Sequence, residues 1–123
     1  MEKKLDQVTL FQSHIILWSP ADPQGDTVAS KRDVKKILEL AQGSKTQPMS
    51  LLVDVSRAEI PNLEQKKIIG NAGKKYSFDK IAVYGFSWRM KLAVAFISKL
   101  AGGLNIKLFN SQSEALIWLE QKK

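Results

Sequence analysis

The stretch KIAVYGFSWRMKLAVAFISKLAGG, residues 80–103, decides the fold because its hydrophobic period changes in the middle. KIAVY is a nearly all-apolar run, which is what a strand buried on both faces requires. Gly85 and Ser87 then turn the chain, and Ser87 is placed to cap a helix by accepting bonds from backbone amides near Arg89 and Met90. From there Trp88, Leu92, Ala95, Phe96 and Leu100 recur at helical spacing, a stripe expected to pack the helix onto a sheet. The Gly102–Gly103 pair ends it.

The same grammar extends in both directions. MSLLVDVS, residues 49–56, is another buried strand, and Pro61 with Asn62 announces a second helix whose apolar positions are Leu63, Ile69, Ala72 and Tyr76. NIKLF, residues 105–109, is a last strand before a helix opened by Ser111, with Glu114 three residues on as a capping box. Upstream, Val34, Ile37, Leu38 and Ala41 mark a first helix that Thr27 or Ser30 can cap and Gly43 can stop. SPADPQGD, residues 19–26, holds two prolines and a glycine and reads as a loop. Before it, VTLFQ and HIILW read as two strands joined by a turn at Gln12 and Ser13. The expected order is β-β-α-β-α-β-α-β-α in a single domain over residues 1–123. That order predicts an α/β fold: a mixed, mostly parallel sheet of about five strands with four helices packed against it through right-handed crossovers.

Composition narrows the function classes. A chain of 123 residues with 44% hydrophobic and 25% charged residues is an ordinary globular domain. Without cysteine it can hold no disulfide, no thiolate metal site and no cysteine nucleophile. The MEKKLDQ start has no signal-peptide core, and no apolar run approaches the roughly 18 residues of a membrane span, so a soluble cytoplasmic protein is expected. Nineteen Lys and Arg against twelve Asp and Glu give a formal charge of +7, which favours acidic partners. The cations come in pairs (Lys3/Lys4, Lys31/Arg32, Lys35/Lys36, Lys66/Lys67, Lys74/Lys75 and Lys122/Lys123) rather than in a run. That pattern reads as solvated helix faces, and nucleic acid is not the expected partner.

Ligands of open α/β sheets bind beyond the carboxyl ends of the strands, which singles out the loops at residues 18–27, 56–62 and 85–88. The Gly85-Phe86-Ser87 corner matches the first half of a serine-hydrolase elbow, but Arg89 stands where the second glycine belongs. The only histidine, His14, begins an amino-terminal strand, so no catalytic residues and no enzyme are expected. GNAGKK, residues 70–75, has two residues between its glycines where a phosphate loop has four, and it falls inside the second helix. It reads as a closely packed helix with a lysine-rich carboxyl end. Asp54 and Glu59 lack the further ligands a metal needs, so neither a metal nor another cofactor is expected. Trp18 and Trp88 could wall a pocket, with Arg57 and Arg89 holding an anion at two helix starts.

The strand LLVDVS, the block at residues 80–102 and above all the ending IKLFNSQSEALIWLEQ, residues 106–121, resemble the STAS fold in its SpoIIAA-like (STAS/SEC14-type) branch of small bacterial proteins. The likeness covers nearly the whole chain, and it implies that Leu116 and Trp118 seal the last helix onto the sheet. The resemblance implies a non-catalytic regulatory or binding module. In the partner-switching members of that family a serine in an Asp-Ser-Ser-Gly motif is phosphorylated at the start of a helix. Here Asn62-Leu63-Glu64 stands in that place and offers no acceptor hydroxyl. The binding surface is then expected from Arg57, Asn62, Ser87, Trp88 and Arg89 with the second helix, and its partner is another protein. The alternative is a carrier of a small apolar or amphipathic anionic ligand with Trp18 in its wall. A homodimer could form through the second helix or the amino-terminal edge strand.

Overall fold

A computed structural model of the chain describes residues 7–121. The Lys3/Lys4 and Lys122/Lys123 pairs and most of MEKKLDQ lie outside the described residues. The order is β1 (Val8–Gln12), β2 (Ile15–Trp18), α1 (Thr27–Gly43), β3 (Ser50–Asp54), α2 (Leu63–Lys75), β4 (Ile81–Tyr84), α3 (Trp88–Leu100), β5 (Ile106–Phe109) and α4 (Gln112–Glu120). The five strands form one mixed sheet in the order of the sequence. β1 and β2 are an antiparallel hairpin with an irregularity between Leu10 and Gln12, and every later pair is parallel. This is the expected α/β layout.

Each crossover moves the chain one strand in the same direction, so same-handed connections place α1, α2 and α3 on one face. Under them lies the larger core, with Ile16, Trp18, Leu51, Val53 and Val83 of the sheet against Ile37, Ala41, Met90 and Ala93. The other face is covered by α4, whose Ala115 and Leu119 pack on Ile15, Leu52 and Ala82. Leu116 and Trp118 lie partly buried beside them. Lys80 fastens this helix. Only 8% exposed, it donates from Nζ to the carbonyls of Trp118 and Gln121, each at 2.7 Å, a cation set against the negative end of a helix.

Helix ends follow capping chemistry, with two departures from expectation. Asp26, not Thr27 or Ser30, caps α1 by accepting from the Ala29 amide, and Ser30 is buried inside the helix. Asn62 and Gln65 form a reciprocal box at the start of α2. At α4 the Ser111 hydroxyl accepts from the Glu114 amide, but the Glu114 carboxylate reaches back to the Asn110 amide, one residue beyond a true box. Ser87 caps α3 as expected, accepting from the Met90 amide.

The rotation of α3 overturns one reading. Met90, Ala93 and Ile97 face the core, whereas Trp88, Leu92 and Phe96 are 68%, 62% and 41% exposed. Trp88 therefore does not pack its helix onto the sheet. Leu63, expected as an apolar contact of α2, is also 53% exposed. A Cβ on Gly70 would sit 2.9 Å from the Leu100 Cβ, and one on Gly73 would sit 3.0 Å from the Ala101 Cβ. The two glycines let α2 and α3 approach closely along the Ile97, Leu100 and Ala101 side.

Candidate functional site

Between the sheet and the three-helix layer the side chains do not close. α4 lies tight against its face through Ala115, while α2 and α3 stand farther from theirs. The space left is an apolar cavity of about 140 Å³. Its floor includes Leu51, Val53 and Val83, and its roof includes Ile37, Ile69 and Val94. At the end where β2, β3 and β4 finish, it is bordered by Pro20, Asp22, Ala58, Glu59 and Pro61 of two loops. An apolar cavity of roughly 150 Å³ stays dry and accepts a molecule the size of benzene.

Polar groups gather at that end, and they hold one another. Asp33, 4% exposed, accepts from the Trp18 indole Nε1 at 3.1 Å, from Gln7 Nε2 at 2.7 Å and from Arg32 at 3.3 Å. Arg32 also pairs with Asp22 at 3.2 Å. Gln65 is the second node: its Oε1 accepts from the Asn62 and Gly25 amides and its Nε2 donates to the Ser30 hydroxyl. One side chain thus ties the start of α2 to the loop before α1 and to α1 itself. Outside it, the Gln24 amide donates to the Glu59 carboxylate at 3.1 Å and Gln24 Nε2 donates to the Ile60 carbonyl at 2.7 Å, clasping the two loops together.

Among the described residues no buried side-chain nitrogen or oxygen lacks a partner. Among the described residues, the charged side chains that border the cavity are the carboxylates Asp22, Asp33 and Glu59, and no lysine or arginine lines it. The space therefore offers a ligand apolar surface without an unpaired donor or a cation. A neutral molecule fits that chemistry, and an anion would be desolvated without compensation.

The residues expected at a site separate into three places. Trp18 lines the cavity, with its indole nitrogen committed to Asp33. Asn62 and Ser87 are helix caps. Arg57, Trp88 and Arg89 are exposed and do not line the cavity, and the Arg89 guanidinium lies 5.3 Å from the Trp88 ring. Trp18 and Trp88 thus do not wall one pocket. The strand-end loops do meet: Gly85, with φ +78°, approaches so closely that a Cβ there would lie 3.0 Å from the Ser56 Cβ.

His14 and Ser87 are at opposite ends of the sheet. The His14 carbonyl accepts from the Ser50 amide where β3 begins, whereas Ser87 follows the end of β4, roughly 13 Å away along a four-residue strand. Asp54 accepts from the Ser56 amide and hydroxyl at 2.9 and 2.7 Å, while Glu59 is held by Gln24. Among the described residues no three His, Cys, Asp or Glu side chains gather as a metal site. The Tyr84 hydroxyl, beside Asp54 and Gln112, is raised above its ordinary 10.0, first by burial and then by the Asp54 carboxylate.

Asp33 and Gln65 are the members that the sequence reading passes over, Ser30 enters it only as a helix cap, and a signal for all three exists. Ser30, Asp33, Ile37 and Ala41 recur at helical spacing, so two polar residues share the buried stripe of α1. Asn62 and Gln65 have the spacing of a capping box. No family model matches the chain, and neither a curated protein nor a solved structure matches it.

Proposed function

We propose that this chain is a non-catalytic binding module of SpoIIAA-like fold whose ligand is a small, neutral, apolar molecule held between the sheet and the three-helix layer. The observation that carries the reading is the cavity of about 140 Å³ with apolar walls and self-satisfied polar groups at one end. Interiors pack to crystal-like density, and an unfilled void costs roughly 24 cal/mol per Å³, a few kcal/mol at this size. A void that costly is what a binding site looks like when its walls are shaped for an occupant. The ligand class is one small aromatic system, a single ring or a fused pair such as indole, or a short branched hydrocarbon.

Titration of the purified protein with indole, followed by amide chemical shifts, tests the reading. Saturable shifts confined to the cavity walls are expected, with a rise in melting temperature at excess indole. Val83→Phe places a ring in the same space, so it is expected to abolish the shifts and to add about 0.5–2 kcal/mol of stability. A Val83→Phe protein that folds and still binds indole as the wild type does would remove the cavity as the site. Native mass spectrometry of freshly purified protein then reads whether a neutral small molecule accompanies it.

A further inference from the structure

We infer that the outer surface of α2 and α3 seats this protein on anionic lipid bilayers. The two thirteen-residue helices carry Lys66, Lys67, Lys74, Lys75, Arg89, Lys91 and Lys99 against the single carboxylate of Glu64. Seven cations and one anion leave a net +6 there, in a chain whose formal charge is +7. The charge is therefore gathered in space, although its pairs are scattered in sequence. α3 itself has no acidic residue.

Through the middle of this basic surface runs the ridge of Trp88, Leu92 and Phe96, one helical turn apart and exposed. Its members point away from the core because Met90, Ala93 and Ile97 take the inward side. The cations frame it closely. The Arg89 guanidinium lies 5.3 Å from the Trp88 ring, and Lys66 Nζ lies 5.2 Å from the Phe96 ring. Aromatic and aliphatic side chains on one line, with long basic stems beside them, are the composition of a helix that lies in a membrane interface. Anionic headgroups take the charge, and the acyl boundary takes the ridge. A bilayer accepts a projecting ridge without needing a matching groove. Nucleic acid would satisfy the cations alone and leave Leu92 in water.

Vesicle co-sedimentation of the purified full chain tests this, comparing phosphatidylcholine alone with phosphatidylcholine containing about one-third phosphatidylglycerol. Partitioning at least tenfold stronger to the anionic vesicles is expected, weakening as salt rises from about 0.1 M to about 0.5 M. Each cation at such a surface is worth about fivefold, so Lys91→Glu with Lys99→Glu should lower partitioning by more than tenfold. The equivalent reversal on α1, Lys31→Glu with Lys35→Glu, should lower it less. The exposed ridge pair Trp88→Ser and Leu92→Ser, whose melting temperature is expected to stay near the wild type, should lose at least tenfold. Indole binding by that pair is expected to be unchanged, which separates a failure here from a failure of the cavity. Equal partitioning to both vesicle types, no partitioning to either, or an unaltered ridge pair would each overturn the inference, and the second would leave the ridge to an acidic protein.

Discussion

Asp33 is a carboxylate nearly sealed from water, and its three donors come from three separate parts of the chain. Removing the acceptor strands the Trp18 indole N–H at the edge of the core, where an unmade bond costs more than a made one contributes. Asp33→Ala is expected to lower stability by about 2–3 kcal/mol, and Asp33→Asn, which keeps one acceptor, by less. Urea midpoints measure this, and equal midpoints for wild type and Asp33→Ala would show that the network contributes nothing net. Tyr84 makes a prediction in pH. Its pKa is raised on folding by burial and by Asp54, so the folded state holds the phenolic proton more tightly than the unfolded chain does. The resulting stability is fully present below the unfolded value of about 10 and is lost as pH rises through the folded value. Between about pH 9 and pH 12, Tyr84→Phe should therefore lose stability less steeply than the wild type in urea titrations. Parallel slopes would mean that Tyr84 does not govern the alkaline limb.

At the scale of elements, the two clasped loops border one end of the cavity with their outer bonds exposed to water, and under the proposed function they would be its door. Exposed hydrogen bonds are weak but kinetically relevant, since opening must break them. Gln24→Ala combined with Glu59→Ala is expected to speed indole release by roughly three- to tenfold while leaving affinity within about twofold, because entry accelerates as well. NMR line shapes report both rates, and unchanged release would place the door elsewhere. The elements themselves were legible because strands buried on both faces write themselves as apolar runs: IILW, SLLVD and IAVY fall inside the stretches read from sequence. The facing of α3 was not legible. WRMKLAVAFISKL carries apolar residues on more than one side, so Trp88-Leu92-Phe96 and Met90-Ala93-Ile97 are equally periodic, and the choice between them rests on packing against other elements.

For the whole molecule, the cavity was invisible in sequence for a related reason. It arises from how far α2 and α3 stand off the sheet, a distance that no local pattern encodes. Trp18 lines the cavity, and its separation from Trp88 follows from the rotation of α3. The grouping of charge is hidden in the same way, since cations spread through the sequence as pairs on helix faces come together once parallel crossovers lay the helices side by side. The strand order carries one more consequence. Because each strand joins the one made just before it, the sheet can grow from its first hairpin as the chain leaves a ribosome, every new strand finding its template already in place. The helix that covers the second face follows all five strands in sequence. Until it emerges, Ile15, Leu52 and Ala82, fully buried in the finished protein, lack their cover. The nascent domain is thus vulnerable on that face until α4 has been made, and the Lys80 latch onto Trp118 and Gln121 then holds the cover in place.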